Sequence, residues 1–301
     1  MKKYIVSDLH GDGNVYNSIM AFLENKSLEE DVTLYINGDL IDRGIDSASM
    51  LLDVIKRTKN NPFKIVYLGG NHELMMIETF RRRVKGLYTD KDDWFFNGGH
   101  VTDDELSKLL NYDKNKILEV VDYLCNLKLY QKFEEKQKNK PIVLVHAMCP
   151  LKVKDECDIK LGDNNPNIDS IVWTREHDIY IPFRCRVGDE KYFTVIGHTA
   201  VKNSCGFEYF NSQNYLDIDG GCGRYMSGQT EYDHSPLVEI NDGYLKILTF
   251  NNSNEIVCGN YFENNHCIPM TIDELNQERC YLDKSLVPKK LVLYHKNIYE
   301  D

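Results

Sequence analysis

The chain has 301 residues, 42% of them hydrophobic and 28% charged, so it can bury a sizeable core and lacks the composition of a disordered protein. Its formal net charge of −11 argues against a general nucleic-acid binder, because such proteins carry a surplus of Lys and Arg. The acidic total does not exclude phosphate chemistry, since bound divalent cations would reverse the charge locally.

The cysteines and the N-terminus indicate the cellular compartment in which the protein is expected. Nine cysteines are scattered along the chain without CxxC pairs, which resembles neither a disulfide framework nor a zinc module. The N-terminus reaches Asp8 after too few apolar residues for a signal peptide, and no apolar run approaches the length of a membrane span. We therefore expect a cytoplasmic protein without membrane contact. The oligomeric state stays open.

Three short apolar runs near the N-terminus predict buried strands at residues 4–6, 32–36 and 63–68. Between them, apolar residues at helical spacing predict one helix capped by Asn14 and another capped by Asp46 or Ser47. Strand, helix and strand repeat at about the size of a βαβ unit, roughly 30 residues, which predicts a parallel sheet. Ligands of such sheets bind at the carboxyl ends of the strands, where this sequence places its polar clusters.

The remaining chain alternates between helical and strand character. Residues 74–140 predict a helical cap over the sheet, and within them residues 134–140 predict a polar surface loop. Further strands are predicted at residues 142–145, 192–196 and 215–218, followed by a hairpin over residues 237–250 that turns at residues 241–243. Residues 251–301 read as a C-terminal extension of unclear role, in which Thr271 opens a short helix by a capping box and residues 291–294 form an edge strand.

Six ligand-type side chains follow five of the predicted strands and could converge on one rim. They are Asp8, His10, Asp39, Asn71, His146 and His198. Manganese, iron and zinc accept carboxylate oxygens and imidazole nitrogens together, and six ligands suit two metals with one bridging carboxylate. Asp39 is the natural bridge because it sits centrally in the chain order. Since these ligands extend from Asp8 to His198, we expect one domain over residues 1–301.

Five sequence blocks resemble a known family. SDLHG, GDLIDRG, GGNHE, VHA and IGHT, spread over about residues 4–225, are similar to the signature blocks of the calcineurin-like metallophosphoesterases, and specifically of their phosphoprotein phosphatase branch. Ser7 stands where that family usually has glycine, and Ala147-Met148 after His146 favours the bacterial branch. The resemblance implies an α/β fold: a four-layer β-sandwich flanked by helices.

The resemblance also implies a role for each matching residue. Asp8 and His10 match ligands of the first metal, Asp39 matches the bridge, and Asn71, His146 and His198 match ligands of the second. His72 matches the general acid that protonates the leaving oxygen, and Asp42 matches the carboxylate that orients it. Arg43 matches a phosphate-binding arginine, and IVWTRE offers Arg175 as the second.

The implied activity is a dinuclear metal-dependent hydrolysis of phosphomonoesters by direct attack of a metal-bridging hydroxide. A bacterial-type serine/threonine protein phosphatase is the leading interpretation, with manganese as the expected metal and iron or zinc as alternatives. The substrate would be a phosphorylated protein or a small phosphoester. A symmetrical dinucleoside tetraphosphatase and a catalytically silent regulatory protein of the same fold are the alternatives.

Several other polar residues carry weaker expectations. The segment containing Asn97, Gly98, Gly99 and Thr102 resembles a wall of the substrate cleft in the bacterial branch. His100 reads as an ordinary polar residue. Residues 81–83, three consecutive arginines, predict a solvated helix face, with attraction of an anionic substrate as the less favoured reading. The LDIDGGC segment at residues 216–222 reads as structural.

Overall fold

The computed structural model describes residues 1–87, 92–150, 152–175, 191–210, 214–263 and 266–282. The strands in these ranges are β1 (Lys2–Val6), β2 (Val32–Asn37), β3 (Lys64–Leu68), β4 (Tyr130–Gln137), β5 (Lys140–Val145), β6 (Phe193–Ile196), β7 (Glu208–Phe210), β8 (Tyr215–Asp217), β9 (Ser235–Ile240), β10 (Tyr244–Asn251), β11 (Glu255–Glu263) and β12 (His266–Pro269). The helices are α1 (Gly13–Lys26), α2 (Ser47–Arg57), α3 (Asn71–Val84), α4 (Asp93–Phe96), α5 (Gly99–Leu109), α6 (Lys114–Cys125), α7 (Ile168–Trp173), α8 (Cys222–Met226) and α9 (Ile272–Arg279).

The first sheet has the strand order β12-β11-β10-β9-β1-β2-β3. Strands β1, β2 and β3 are parallel, as the repeated strand–helix–strand pattern predicted. The other neighbours are antiparallel, including the hairpin of β9 and β10 that the sequence predicted. The parallel end of this sheet therefore presents three carboxyl ends on one edge.

The second sheet has the strand order β4-β5-β6-β8-β7. Strands β5, β6 and β8 are parallel, and β4 and β7 pair antiparallel at its two edges. The carboxyl ends of β5 and β6 carry the remaining predicted ligands, so the site draws on parallel strands of both sheets.

Side-chain alternation along the strands separates two cores. Ile5 and Tyr35 of the first sheet share a buried cluster with Ile142, Leu144 and other residues of the second, so the two sheets pack face to face. The alternate residues, such as Tyr4 and Val6, join a larger cluster with the helices. The predicted α/β fold, a β-sandwich flanked by helices, is confirmed.

Helix α1 corrects one predicted cap. Its N-cap is Asp12, whose carboxylate accepts a hydrogen bond from the Val15 amide at 3.1 Å. Asn14 lies inside the first turn instead, because a carboxylate at Asp12 already satisfies the exposed amide of that turn. The cap at Asp46 agrees with the prediction in position, although its side chain makes no capping bond.

The cap predicted over residues 74–140 is too long at its C-terminal end. Helices α3 to α6 end at Cys125, and residues 130–137 form β4 instead of continuing the helical region into a polar loop. Tyr130, Phe133 and Gln137 are buried in the core while the charged residues between them are more exposed. A strand at the edge of a sheet tolerates this composition, which explains why a loop was expected.

The C-terminal extension belongs to the first sheet as far as it is described. Strands β11 and β12 continue that sheet, and α9 begins with the predicted capping box between Thr271 and Glu274. A chain of ion pairs ties α9 to the sheet: Glu239 contacts Lys2 and Lys246 at 2.6 and 2.5 Å, and Lys246 contacts Glu278 at 3.0 Å. The strand predicted at residues 291–294 lies outside the described residues.

None of the helices within the described ranges combines the length and the apolarity that crossing a bilayer requires.

Candidate metal centre and active site

The six predicted ligands come together at the carboxyl ends of five strands. Asp8 and His10 follow β1, Asp39 follows β2, Asn71 follows β3, His146 follows β5, and His198 follows β6. All six side chains are buried, with exposures of 5% or less. The convergence expected from the sequence is therefore present, and buried groups of this kind require partners.

The turns that follow these strands hold the backbone in the left-handed region. Six non-glycine residues of the site have positive φ: Asp8 (55°), His10 (44°), Asp39 (49°), Asp42 (75°), Arg43 (72°) and His198 (72°). Such conformations cost about 1–3 kcal/mol each and persist only where the surrounding structure enforces them. The fold thus sustains local strain to aim these side chains at one point.

Backbone carbonyl groups orient three of the imidazole rings. Nδ1 of His10 lies 3.0 Å from the Ile41 carbonyl, and Nδ1 of His146 lies 2.9 Å from the Asn37 carbonyl. Nε2 of His198 lies 3.1 Å from the carbonyl of Trp173. Because a carbonyl oxygen can only accept, each of these nitrogens carries a proton, and the opposite ring nitrogen is the one left to bind a cation.

Asp39 lies between two compact groups of ligand atoms. Its carboxylate belongs to one group with His10 and His72 and to another with His146 and His198, each with ligand atoms within 4.8 Å of one another. Nε2 of His146 is also 3.0 Å from the Asn71 side-chain oxygen. The carboxylate of Asp39 thus lies centrally among the ligand atoms, as the sequence predicted.

Asp8 adjoins these groups. The group around His10 contains His72 where the sequence suggested Asp8. The Asp8 carboxylate accepts hydrogen bonds from the Ser7 hydroxyl and from the His198 amide, the latter at 3.1 Å. Ser7, which departs from the family pattern, thus fixes the rotamer of Asp8.

Burial and neighbouring charges set the protonation of the cluster. Burial and Arg43 lower the pKa of His10, and burial and His146 lower the pKa of His198, so both rings are neutral. Burial opposes ionisation of Asp39, but His146 and His72 outweigh it and its pKa falls well below the ordinary value. Burial also opposes the charge on His146, yet Asp39 and Asp8 raise its pKa to about 10.

These residues fit two divalent cations. The cluster offers the neutral imidazoles of His10 and His198, the His146 ring, whose proton a bound cation would displace, an ionised carboxylate shared by two groups, and an amide oxygen. This is the donor set that manganese, iron and zinc accept. Burial and Asp219 raise the pKa of Asp8, and positive charge nearby would lower it. Two cations would supply that charge.

His72 and Asp42, which the sequence predicts to be the general acid and the carboxylate that orients it, are in direct contact. Nδ1 of His72 donates to the Asp42 carboxylate at 2.6 Å, and Asp42 is fully buried. Two residues to which the sequence gave no such task hold that carboxylate: the Trp94 indole donates at 2.8 Å and the Thr102 hydroxyl at 2.6 Å. Thr102 had a signal, because it belongs to the segment resembling a cleft wall, whereas Trp94 had none.

Glu73 is a third residue that the sequence left without a role. Its buried carboxylate accepts from the amides of Asp39, Leu40 and Gly70 at 2.9 to 3.0 Å, and from the Tyr67 hydroxyl at 2.6 Å. It therefore fixes the turns that carry Asp39 and Asn71. A Cβ at Gly70 would lie 2.3 Å from an Asp39 oxygen, so the turn also requires glycine there.

A cavity of about 520 Å³ opens over the cluster. Arg43 and Arg175 line it, as do Phe95, Asn97 and Gly98 of the segment expected to form a cleft wall. The Arg43 guanidinium lies 3.2 Å from Nε2 of His10 and 3.1 Å from Nε2 of His72. Arg175 donates to the Thr199 hydroxyl at 3.4 Å. Both predicted arginines thus line the space above the predicted metal ligands.

The structure bears on the expectations for two sets of peripheral residues. His100 lines the cavity, although its sequence context suggested an ordinary polar residue. The arginines at residues 81–83 contact the Gly162 carbonyl, Asp92 and Asp103 respectively, and do not line this cavity. The less favoured reading of that run as an attractor of substrate therefore has no geometric support.

The segment after β8 is closer to the site than expected. A Cβ at Gly223 would lie 2.2 Å from Nη1 of Arg43 and 2.4 Å from the His10 ring, so α8 packs directly on both. Asp219, Gly221, Gly223 and Arg224 all line the cavity. The three glycines in GGCG were the available signal for this close approach, since glycine permits backbone to lie against a ligand site.

Comparison with known proteins agrees with this geometry. Residues 1–202 match the model of the calcineurin-like phosphoesterase family. No curated protein matches the chain. A serine/threonine phosphatase from Saccharomyces cerevisiae with similarity to human phosphatase PP5 has a similar structure, with a TM-score of 0.51, 13% identity, and coverage of 81% of this chain and 73% of the yeast chain.

Two further solved structures are more distant. A mutant cold-active protein tyrosine phosphatase gives a TM-score of 0.49 at 13% identity, covering 84% of this chain and 78% of its own. A protein described as a candidate diadenosine tetraphosphatase gives 0.44 at 14% identity, covering 90% and 94%. The match of the family model to two thirds of the chain, together with the clustered ligands, shows that this protein belongs to the calcineurin-like phosphoesterases.

Proposed function

We propose that this phosphoesterase hydrolyses phosphomonoesters as a bacterial-type serine/threonine protein phosphatase. The observation that carries the proposal is the position of Asp39 between two histidine groups, directly beside the His72–Asp42 pair. Ligands for two cations and a proton donor thus share one buried floor beneath an open cavity. The motif resemblance supports the protein phosphatase branch.

Asp8, His10 and Asp39 would hold one cation, and Asp39, Asn71, His146 and His198 the other. Manganese is the metal we propose, with iron and zinc as alternatives. When bound, such a pair lowers the pKa of a water molecule and neutralises charge on the phosphoryl oxygens. The ring orientations fixed by Ile41, Asn37 and Trp173 keep one nitrogen of each histidine directed at the cations.

The remaining residues would act on the substrate itself. Arg43 and Arg175 would donate paired N–H groups to the phosphoryl oxygens, whose negative charge spreads during transfer. Since Nδ1 of His72 is held by Asp42, a proton taken up at Nε2, which lies beside Arg43 and Asp39, would be the one delivered to the leaving oxygen. That proton matters most when the leaving group is a poor one, such as a serine alkoxide.

A substrate panel tests the proposal. Phosphoserine and phosphothreonine peptides, p-nitrophenyl phosphate and diadenosine tetraphosphate would be compared at one enzyme concentration with manganese supplied. We expect the phosphopeptides to be hydrolysed with the higher kcat/KM. Dominance of diadenosine tetraphosphate would instead assign a symmetrical dinucleoside tetraphosphatase. Loss of all hydrolysis despite bound metal would indicate a silent protein of the same fold.

We also propose that the chain acts in the cytoplasm and that residues 1–301 form one domain. The scattered cysteines motivate the first proposal. The ligand set, which spans Asp8 to His198 across both sheets, motivates the second.

A further inference from the structure

Arg224 is a third arginine at the cavity, and neither the sequence motifs nor the proposed chemistry uses it. It directly follows Gly223, whose backbone packs against Arg43 and His10. The backbone of Arg224 is therefore held one residue away from the site. Its side chain is exposed and lines the cavity together with Met226 and Gln229 of the same segment. The basic group is therefore at the cavity mouth and not on its floor.

The backbone of Arg224 is tightly held. Its amide donates to the Gly221 carbonyl at 2.8 Å, and its carbonyl accepts from the amides of Ser227 and Gln229 at 3.1 and 3.0 Å. By contrast, its guanidinium makes no hydrogen bond or ion pair to any residue in the described part of the chain. Lys202 differs, because it pairs with Glu231 at 3.6 Å.

The cavity has room for more than one phosphoryl group. Its volume of about 520 Å³ lies within the range of small-molecule pockets, about 300–1,000 Å³. In the proposed chemistry Arg43 and Arg175 hold the reacting phosphoryl group. Arg224, a third cationic side chain at the rim of a protein of net charge −11, would attract a further anion to the cavity.

We propose that Arg224 binds a second anionic group of the substrate, next to the phosphoryl group that is hydrolysed. This group would be a carboxylate of an acidic residue beside the phosphorylated one, or a second phosphoryl group of the same molecule. Arg224 is then a specificity residue. The inference rests on the proposed function, since it assumes that a phosphoester occupies the cavity.

The test compares substrates with one and with two anionic groups. A phosphoserine peptide with flanking aspartates, the same peptide with flanking alanines, ADP and p-nitrophenyl phosphate would be assayed with the wild type and Arg224→Gln. We expect Arg224→Gln to lower kcat/KM for a two-anion substrate roughly fivefold more than for its one-anion counterpart, mainly through KM, as for an exposed charge pair. The difference should shrink at high ionic strength.

Control variants separate charge from structure. Lys64→Gln removes the same charge from an exposed position on β3, away from the cavity, and should leave the substrate ratios unchanged. Arg224→Lys should retain part of the preference. If the glutamine variant folds poorly, Arg224→Met, which keeps the aliphatic stem, tests the same loss of charge.

Each outcome has a distinct meaning. A loss confined to the acidic peptide identifies a carboxylate as the second anion, and a loss confined to ADP identifies a phosphoryl group. Unchanged ratios for every pair would overturn the role of Arg224 while leaving the proposed function intact. A wild-type enzyme inactive on all four substrates would instead overturn the proposed function.

Discussion

At the scale of single residues, the site depends on a few side chains with more than one contact. Asp39 is the clearest case, since its carboxylate lies between two histidine groups and also accepts from the His72 amide at 3.0 Å. Asp39→Asn keeps one oxygen for that amide but removes the negative charge. We expect the variant to fold, to lose most bound metal, and to lose at least about 100-fold in rate. Metal analysis by mass spectrometry and kcat on p-nitrophenyl phosphate would check this, and full metal occupancy would contradict it.

His72 should affect the rate more than it affects metal content. Its Nδ1 is committed to Asp42 at 2.6 Å, and its Nε2 faces Arg43. We expect His72→Gln to retain bound metal but to lose about 10²- to 10⁴-fold in kcat on phosphoserine peptides, the usual size of general acid catalysis. The loss should be smaller on p-nitrophenyl phosphate, whose leaving group needs little protonation. An unchanged rate on phosphoserine would show that the proton comes from elsewhere.

Trp94 is a positioning residue that acts through Asp42. Its indole donates to both Asp42 oxygens at 3.0 and 2.8 Å, inside a fully buried contact. Trp94→Phe keeps one aromatic ring but removes the N–H donor, whose loss should cost about 1.5–3 kcal/mol of unfolding free energy, and the smaller ring adds a cavity cost at this buried position. We also expect kcat to fall more on phosphoserine than on p-nitrophenyl phosphate. An equal loss on both substrates would indicate a purely structural role.

Sequence reasoning located the residues that lie in tight turns after strands. Asp8, Asp39, His146 and His198 were identifiable because ligand-type residues directly follow apolar runs. Trp94, Glu73 and Arg224 were not assigned a role, because each reaches the site through a helix or a loop whose position depends on packing. Their contacts with Asp42, Asp39 and the cavity arise from tertiary structure that local patterns do not encode.

At the scale of elements, strands with strong apolar patterns were predicted better than amphipathic or edge ones. The buried β1, β2 and β3 and the β9–β10 hairpin agree with the expectation. Strand β4 was missed because its exposed positions carry Glu and Lys, and β11 and β12 were missed because neither has a continuous apolar run. Pairing with a neighbour, and not composition, makes these segments strands.

At the scale of elements, the ion pairs of Glu239 predict how the stability of the fold depends on pH. Burial raises the pKa of Glu239, but Lys246 and Lys2 outweigh it and hold the pKa below its ordinary value of 4.5. A carboxyl whose folded pKa is depressed stabilises the fold above its unfolded pKa, and that stabilisation is lost as the pH falls through the folded pKa. Glu239→Gln should therefore cost about 3 kcal/mol of unfolding free energy at neutral pH.

The pH dependence is the sharper test of this contact. The stability difference between Glu239→Gln and the wild type should narrow as the pH falls below about 4.5. Denaturant unfolding at several pH values would measure it. The exposed Glu119 on α6 supplies a control, because Glu119→Gln should change stability by no more than about 0.5 kcal/mol at any pH. A difference independent of pH would show that the Lys246 contact is not the source.

At the scale of the whole molecule, bound metal should stabilise the fold as well as support catalysis. Two sheets meet at a cluster in which buried Asp8, Asp39, Asp217 and Asp219 lie close together, and burial raises the pKa of Asp217 well above its ordinary value. Cations would bridge the strand ends of both sheets and offset this repulsion, so removal of metal should loosen the joint between the sheets.

Metal addition should therefore raise Tm in a concentration-dependent way. Binding to the folded state alone contributes about 2.7 kcal/mol when free metal is 100 times its Kd. We expect a chelator to lower the Tm of purified protein and manganese to restore it. Asp39→Asn is the matched control, because it removes the carboxylate that lies between both histidine groups. The Tm of this variant should change little when metal is added. A Tm that rises equally in both proteins would mean that the stabilising metal binds elsewhere, on the acidic surface and not between the two sheets.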